Sequence, residues 1–170
     1  MEFLKKIYGV ARERPKRVVF PEADEPRIAE AMARLGAEGI CEPLALGDVT
    51  EAQVQALVMA RGMKEVMARR LLKKPLYRAA AMVAAGEADA MVAGADSPTR
   101  RVIEAAAMAI GPAEGVTLPS SFFVMLFPDG REMIFADCAL NLEPSAEELA
   151  DIARASHASA KALLGHSEVA

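Results

Sequence analysis

The sequence predicts an α/β fold: a three-layer, mainly parallel sheet with an antiparallel hairpin. Three observations lead there. Short apolar runs alternate with amphipathic helical stretches as far as Gly111. Two β-rich runs then flank Pro128-Asp129-Gly130, a hairpin signal. The 170 residues are 53% hydrophobic and 26% charged, enough apolar content for the core of one domain.

The elements follow in order. Phe3, Leu4, Ile7 and Val10 share one helical face, so residues 2–12 read as a helix, stopped before Pro15. Val18-Val19-Phe20, closed by Pro21, reads as a buried strand. Asp24 is the expected cap of the next helix, with Pro26 in its first turn. Ile28, Ala31, Met32 and Leu35 form its stripe, and Gly36 or Gly39 ends it. Leu44-Ala45-Leu46 is a weak second strand. Thr50 and Gln53 have capping-box spacing and open a helix that Gly62 interrupts.

Residues 63–73 look helical again, and Pro75 starts a helix carrying Leu76, Ala79, Ala80 and Val83 as far as Gly86. Residues 90–93 form a strand ending in Gly94. Asp96 or Ser97 then caps a helix with Val102, Ile103, Ala106 and Ile110, ended by Gly111-Pro112. The hairpin spans 121–127 and 131–135. Ser145 and Glu148 form a second capping box, opening a helix with Leu149, Ile152, Ala153, Leu163 and Leu164.

The formal net charge of -4 disfavours general nucleic-acid binding, which needs clustered Lys and Arg. No apolar run reaches the roughly 18–20 residues of a membrane helix, and the N-terminus lacks the apolar core of a secretory signal. Cys41 and Cys138 lie far apart, without CxxC spacing, and read as buried free thiols. His157 and His166 lack metal-ligand spacing, so no metal is expected. A cytoplasmic protein is the simplest inference.

Nucleotide loops of the Walker and dinucleotide types are missing, as is a G-x-S-x-G elbow. The candidate chemistry lies in loops after strands, where parallel sheets bind ligands. Glu22, Asp24 and Arg27 follow the first strand; Asp96, Ser97 and Thr99 follow the strand at 90–93. Ser97 and Thr99 could add hydroxyl donors for a phosphate at a helix N-terminus. On pattern alone the local account is preferred, with Ser97 an N-cap and Asp96 a turn residue. Ser120-Ser121, and Asp137 and Asn141 around Cys138, are likewise either ligand contacts or turn residues. Between 61 and 78 stand Arg61, Lys64, Arg69, Arg70, Lys73, Lys74 and Arg78 against one acid, Glu65. That is a solvated helix face or an electrostatic guide for a polyanion such as coenzyme A.

Three segments together carry a resemblance: FPEADEPR, GEADAMVAGADSPT and FADCALNLEPSAEELADIA. They resemble, in order, the motifs of the phosphate acetyl/butyryl transferase family, and the likeness covers nearly the whole chain. The resemblance implies acyl transfer between phosphate and coenzyme A, with no tightly bound cofactor and no metal in the chemical step. It implies an isocitrate/isopropylmalate dehydrogenase-like fold, usually dimeric, with a cleft between two α/β domains. Substrate contacts are expected at Ser97, Thr99, Arg100, Arg101, Ser120, Ser121, Asp137 and Asn141.

The family's catalytic Ser-Arg-Gly segment is absent from these 170 residues, so no catalytic residue is assigned. Residues 1–165 are expected to form a single domain, the family's first half, and 166–170 to start a second. Residues 47–62 are shorter than the family pattern, and Glu104 stands where the family commonly has an Arg that contacts coenzyme A; Arg100 or Arg101 is the possible substitute. The alternative is a non-catalytic, acetyl-CoA- or CoA-binding regulatory or oligomerisation domain, like that at the back of some malic enzymes.

Overall fold

The computed structural model describes residues 2–138 and 140–169. The chain forms two compact units, one from Leu4 to Gly111 and the other from Pro112 onward with the first residues of the chain. The sequence predicts one domain here.

The first unit holds α1 (Glu2–Glu13), β1 (Lys16–Val19), α2 (Pro26–Ala37), β2 (Cys41–Leu44), α3 (Glu51–Arg61), α4 (Glu65–Leu71), α5 (Pro75–Ala84), β3 (Ala90–Met91) and α6 (Thr99–Ala109). Its sheet is parallel, in the order β2-β1-β3. Val18 pairs with Pro43 on one side and Ala90 on the other. The second strand thus lies three residues earlier than Leu44–Leu46. Pro43 is tolerated because β2 is an edge strand, where a missing N–H costs the ladder little. Phe20, just past β1, still donates its N–H to Leu44 O at 2.9 Å.

Helix boundaries follow local chemistry. Glu25, not Asp24, caps α2: its Oε2 accepts the Ile28 N–H at 3.1 Å, with Pro26 at the first helical position. Gly39, at φ +67°, turns the chain out of α2. Thr50 and Gln53 make the full capping box of α3, and Gly62 is its left-handed C-cap.

The core sits on both sides of α5. Val19, Ala79, Met82 and Ala88 form one buried cluster with the sheet. Ala80 and Ala81 join Val54, Leu57, Ala68, Leu72, Ala105 and Ala109 in the other. Alanines let α3, α5 and α6 approach closely, so α6 buries Ala105 and Ala109 while Ile110 is left exposed. A stripe read by hydrophobicity alone favours the larger side chains.

The second unit holds β4 (Phe122–Leu126), β5 (Glu132–Ala136) and α7 (Ala146–Leu164). The strands pair antiparallel as predicted, Phe123 opposite Phe135, but as a separate two-stranded sheet rather than an arm of the parallel one. Gly130, at φ +89°, completes the turn. Ser145 and Glu148 make the capping box of α7, whose Ile152 and Ala160 are buried. Leu149, expected on the buried stripe, is exposed.

Among the described residues, no helix is long and apolar enough to cross a membrane. Cys41 and Cys138 are free thiols, as expected, but half-buried rather than buried.

Candidate functional site

The two loops singled out after β1 and β3 meet. Glu22, on the β1–α2 loop, accepts three consecutive backbone N–H groups: Gly94 at 2.9 Å, Ala95 at 2.8 Å and Asp96 at 3.2 Å. Such a row of amides is an anion-binding nest. Gly94 enters it at φ +115°, a conformation that costs a side-chain-bearing residue. Partial burial works against ionisation of Glu22, but the Ser97 side chain and the three amides outweigh it and hold the carboxyl below its ordinary value. From the same loop, Arg27 Nη2 reaches Ala95 O at 3.4 Å, while its Nε donates to Glu25 Oε1 at 2.6 Å.

FPEADEPR therefore works as a fastener: Glu22 and Arg27 hold the amides and one carbonyl of the β3–α6 loop, and Glu25 caps α2. Asp24 has no part in it. The N-cap of α6 is Pro98, with no side-chain capping bond, so neither Asp96 nor Ser97 caps it. Proline presets the extended backbone at that position but offers no side-chain acceptor, so the first amides of α6 are left without a cap.

Thr99 opens α6, with Arg100 and Arg101 beside it, all exposed. Ser97 is half-buried. These four expected contacts thus share one end of α6, where free backbone N–H groups and the dipole favour an anion. Arg100 has an acidic partner on the exposed face of α6. Its Nε donates to Glu104 Oε1 at 2.9 Å, so the acid at 104 engages one of the two cations, Arg100 and Arg101, expected to replace the family Arg.

GEADA is the second fastener, and sequence reasoning assigns no role to its acids. Glu87 accepts from Thr50 Oγ1 at 2.5 Å and Gln53 Nε2 at 2.6 Å, joining the α5–β3 turn to the start of α3. Asp89 accepts the Arg17 backbone N–H at 2.8 Å and the guanidinium Nη2 at 3.1 Å. The Arg17 side-chain hydrogen bond, then that of its backbone, lowers the Asp89 carboxyl to about 2. The signal that could find these acids is their place in turns directly before a strand.

In the second unit, Ser121, Asp137 and Asn141 come together. Asp137 Oδ1 accepts Ser121 N at 2.8 Å and Ser121 Oγ at 2.7 Å. Its Oδ2 accepts Asn141 N at 2.6 Å and Asn141 Nδ2 at 3.0 Å. Ser121 Oγ in turn accepts the Cys138 N–H at 3.0 Å. Burial opposes ionisation of Asp137, but the bonds from Ser121 and Asn141 prevail and hold it at about 2. These polar atoms satisfy one another and tie the end of β5 to the start of β4. Ser120 is half-buried beside Ser121.

The basic stretch is largely engaged too. Arg61 donates to the Met108 and Ala107 carbonyls at the end of α6. Arg69 pairs with Glu51 and Glu65. Arg78 donates to Leu72 O at 2.9 Å and Gly47 O at 2.8 Å. Three of the seven cations thus close the structure; the Lys74 ammonium lies over the Tyr77 ring at 5.4 Å.

The family model described as phosphate acetyl/butaryl transferase matches residues 2–60 and 52–170. The phosphate acetyltransferase of Paracoccus denitrificans is 34% identical, over 96% of this chain and 59% of its own length. That of Acetivibrio thermocellus is 30% identical, over 97% and 60%. That of Haemophilus influenzae is 36% identical, over 92% of this chain but 26% of its own. The EutD phosphotransacetylase of Staphylococcus aureus superposes with a TM-score of 0.85 at 28% identity, covering 97% of this chain and 58% of that one. A phosphotransacetylase from Streptococcus pyogenes gives 0.83 at 29% identity. This chain spans 26–60% of the length of these curated relatives. Its fold and motifs, matched over nearly all its residues, place the chain in the phosphate acetyl/butaryl transferase family.

Proposed function

We propose that the chain contributes the coenzyme A- and acyl phosphate-binding part of a phosphate acyltransferase: acetyl-CoA + phosphate = acetyl phosphate + CoA. The observation that carries this is the family match running from residue 2 to residue 170. In the thiolysis direction, the CoA thiol loses its proton and the thiolate attacks the acyl carbonyl. The C–S bond forms, the C–O bond to phosphate breaks, and inorganic phosphate leaves. Charge on the carbonyl oxygen and the departing phosphate needs fixed donors.

The N-terminal end of α6, with Ser97, Thr99 and Arg101, suits a phosphate group. Arg100 is available once a ligand competes with Glu104. Ser120, Ser121, Asp137 and Asn141 are proposed as substrate contacts of the second unit, Asp137 keeping their loops in shape. On this reading residues 1–165 correspond to the family's first half and 166–170 to the start of the next part. The isocitrate/isopropylmalate dehydrogenase-like layering, a homodimer and a cytoplasmic location belong to the same proposal. Its partners are small molecules, with no nucleic acid, membrane or tightly bound cofactor involved.

These residues contain no Ser-Arg-Gly segment, so the chain alone is expected to bind without turnover. Calorimetry with CoA and acetyl-CoA tests the binding. Saturable heats support the proposal; their absence for both ligands in a folded sample ends it. An assay of acetyl-CoA formation from acetyl phosphate tests the missing chemistry.

The second reading, a CoA- or acetyl-CoA-sensing regulatory module, is favoured by one observation: the Arg100–Glu104 pair at the position of the expected Arg. Binding accompanied by a change in assembly state, with no turnover even beside a complementing Ser-Arg-Gly-bearing polypeptide, supports it.

A further inference from the structure

We propose that Glu22 is a positioning and specificity residue: as the resident anion of the Gly94–Ala95–Asp96 nest, it closes those amides to external phosphate and directs an incoming anion to Thr99 and the first turn of α6.

The argument starts from donor supply. A loop leading into a helix offers a phosphate its successive N–H groups, and those nearest the strand end are commonly used. Here the first three are already taken by one carboxylate, at 2.9, 2.8 and 3.2 Å. An external phosphate would have to displace a tethered anion whose effective concentration far exceeds that of a free solute. It would also meet the negative charge of Glu22 itself. Farther along, Arg101 and Val102 both donate to the Pro98 carbonyl, at 2.8 and 3.4 Å. The Ser97 side chain bonds to Glu22 as well, so the groups left for an anion are the Thr99 hydroxyl and the first amides of α6. Arg27, on the Ala95 carbonyl at 3.4 Å, holds the opposite side of the same peptide units. The loop is thus gripped by both signs of charge from a single segment, which fixes its aim.

The inference concerns the ligand edge assigned under the proposed function and rests on that reading only for its consequence. The test separates the two. Amide resonances are followed by NMR in the 170-residue chain, in Glu22→Ala and in Glu22→Gln, while inorganic phosphate or acetate is added. In the wild-type chain the Gly94, Ala95 and Asp96 amides are expected to be protected from exchange and to stay unmoved by either anion. In Glu22→Ala they are expected to shift saturably with both. In Glu22→Gln, where an NH2 group replaces one acceptor oxygen, at least one of the three should exchange faster.

Saturable phosphate shifts at 94–96 in the wild-type chain overturn the proposal. So does a folded Glu22→Ala chain whose three amides ignore both anions. If Glu22→Ala does not fold, wild-type exchange at 94–96 as fast as in an unstructured peptide overturns it, and so does unchanged exchange in Glu22→Gln. Phosphate shifts at Ser97 to Arg101 report the ligand reading separately. Their absence in the wild-type chain removes that reading and leaves the nest to be judged on its own amides.

Discussion

The carboxylate of Glu87 receives a 2.6 Å hydrogen bond from the side-chain amide of Gln53, which is only 2% exposed. Gln53 is the one buried polar side chain among the described residues. Glu87→Ala takes away its partner. Leaving a buried amide unsatisfied costs about 1–3 kcal/mol, so the urea midpoint should fall accordingly. Glu87→Gln, which keeps an acceptor, should lose less.

The two capping boxes should respond unequally. Ser145→Ala removes the cap of α7 and is expected to cost about 1 kcal/mol. Thr50→Ala removes the cap of α3 and also the Thr50 bond to Glu87, and so should cost more. Paired chemical denaturation curves check the order.

Asp137 should tie the stability of the second unit to pH. Its carboxyl is held at about 2 when folded against an ordinary value of 3.8. Between those values the unfolded chain binds more protons, so stability rises with pH there. The contribution is complete above about 4 and is lost as pH falls through the folded value. Hydrogen-exchange protection factors at Ser121 and Asn141, which remove the intrinsic pH dependence of exchange, should fall on acidification across that window. Asp137→Asn should flatten the dependence and raise exchange at neutral pH.

Glu104→Gln frees Arg100 at the start of α6. The pair is exposed, 89% at Arg100 and 49% at Glu104, so its loss should change stability by only about 0.2–1 kcal/mol. If CoA phosphates bind at this end of α6, calorimetry should show tighter binding of about 1.5- to 5-fold, the range such energies span. Added salt should shrink the gain.

The core between α3, α4 and α5 should be sensitive to volume. Leu57 and Leu72 are both 0% exposed. Either substitution by Ala should cost about 2–5 kcal/mol, read from urea midpoints. Met59→Ala, at 83% exposure on the same helix as Leu57, should change little.

Much of the local structure was written in the chain. Thr50-x-x-Gln53 and Ser145-x-x-Glu148 give full capping boxes because the reciprocal bonds involve residues only three apart. Pro26 and Pro75 start helices, and Gly62 and Gly165 end them, because backbone φ is a property of the residue itself. The hairpin turn at 128–130 follows for the same reason. The order of segments was sufficient to indicate the family.

Partners distant in sequence were decided by the tertiary structure. Glu22 and the Gly94–Asp96 amides are 72–74 positions apart, as are Arg17 and Asp89 at 72. Neither pairing has a local signature. The strand at Cys41–Leu44 was hidden because Pro43 is acceptable only on an edge, and edge position is a property of the sheet. The buried face of α6 was set by close approach to other helices, which selects Ala105 and Ala109 over Ile110. The sequence by itself determined the caps, turns, segment order and family. Only the tertiary structure decided that the motif acids Glu22, Glu87, Asp89 and Asp137 act as fasteners, because a carboxylate is identical in sequence whether it faces a ligand or a row of its own chain's N–H groups.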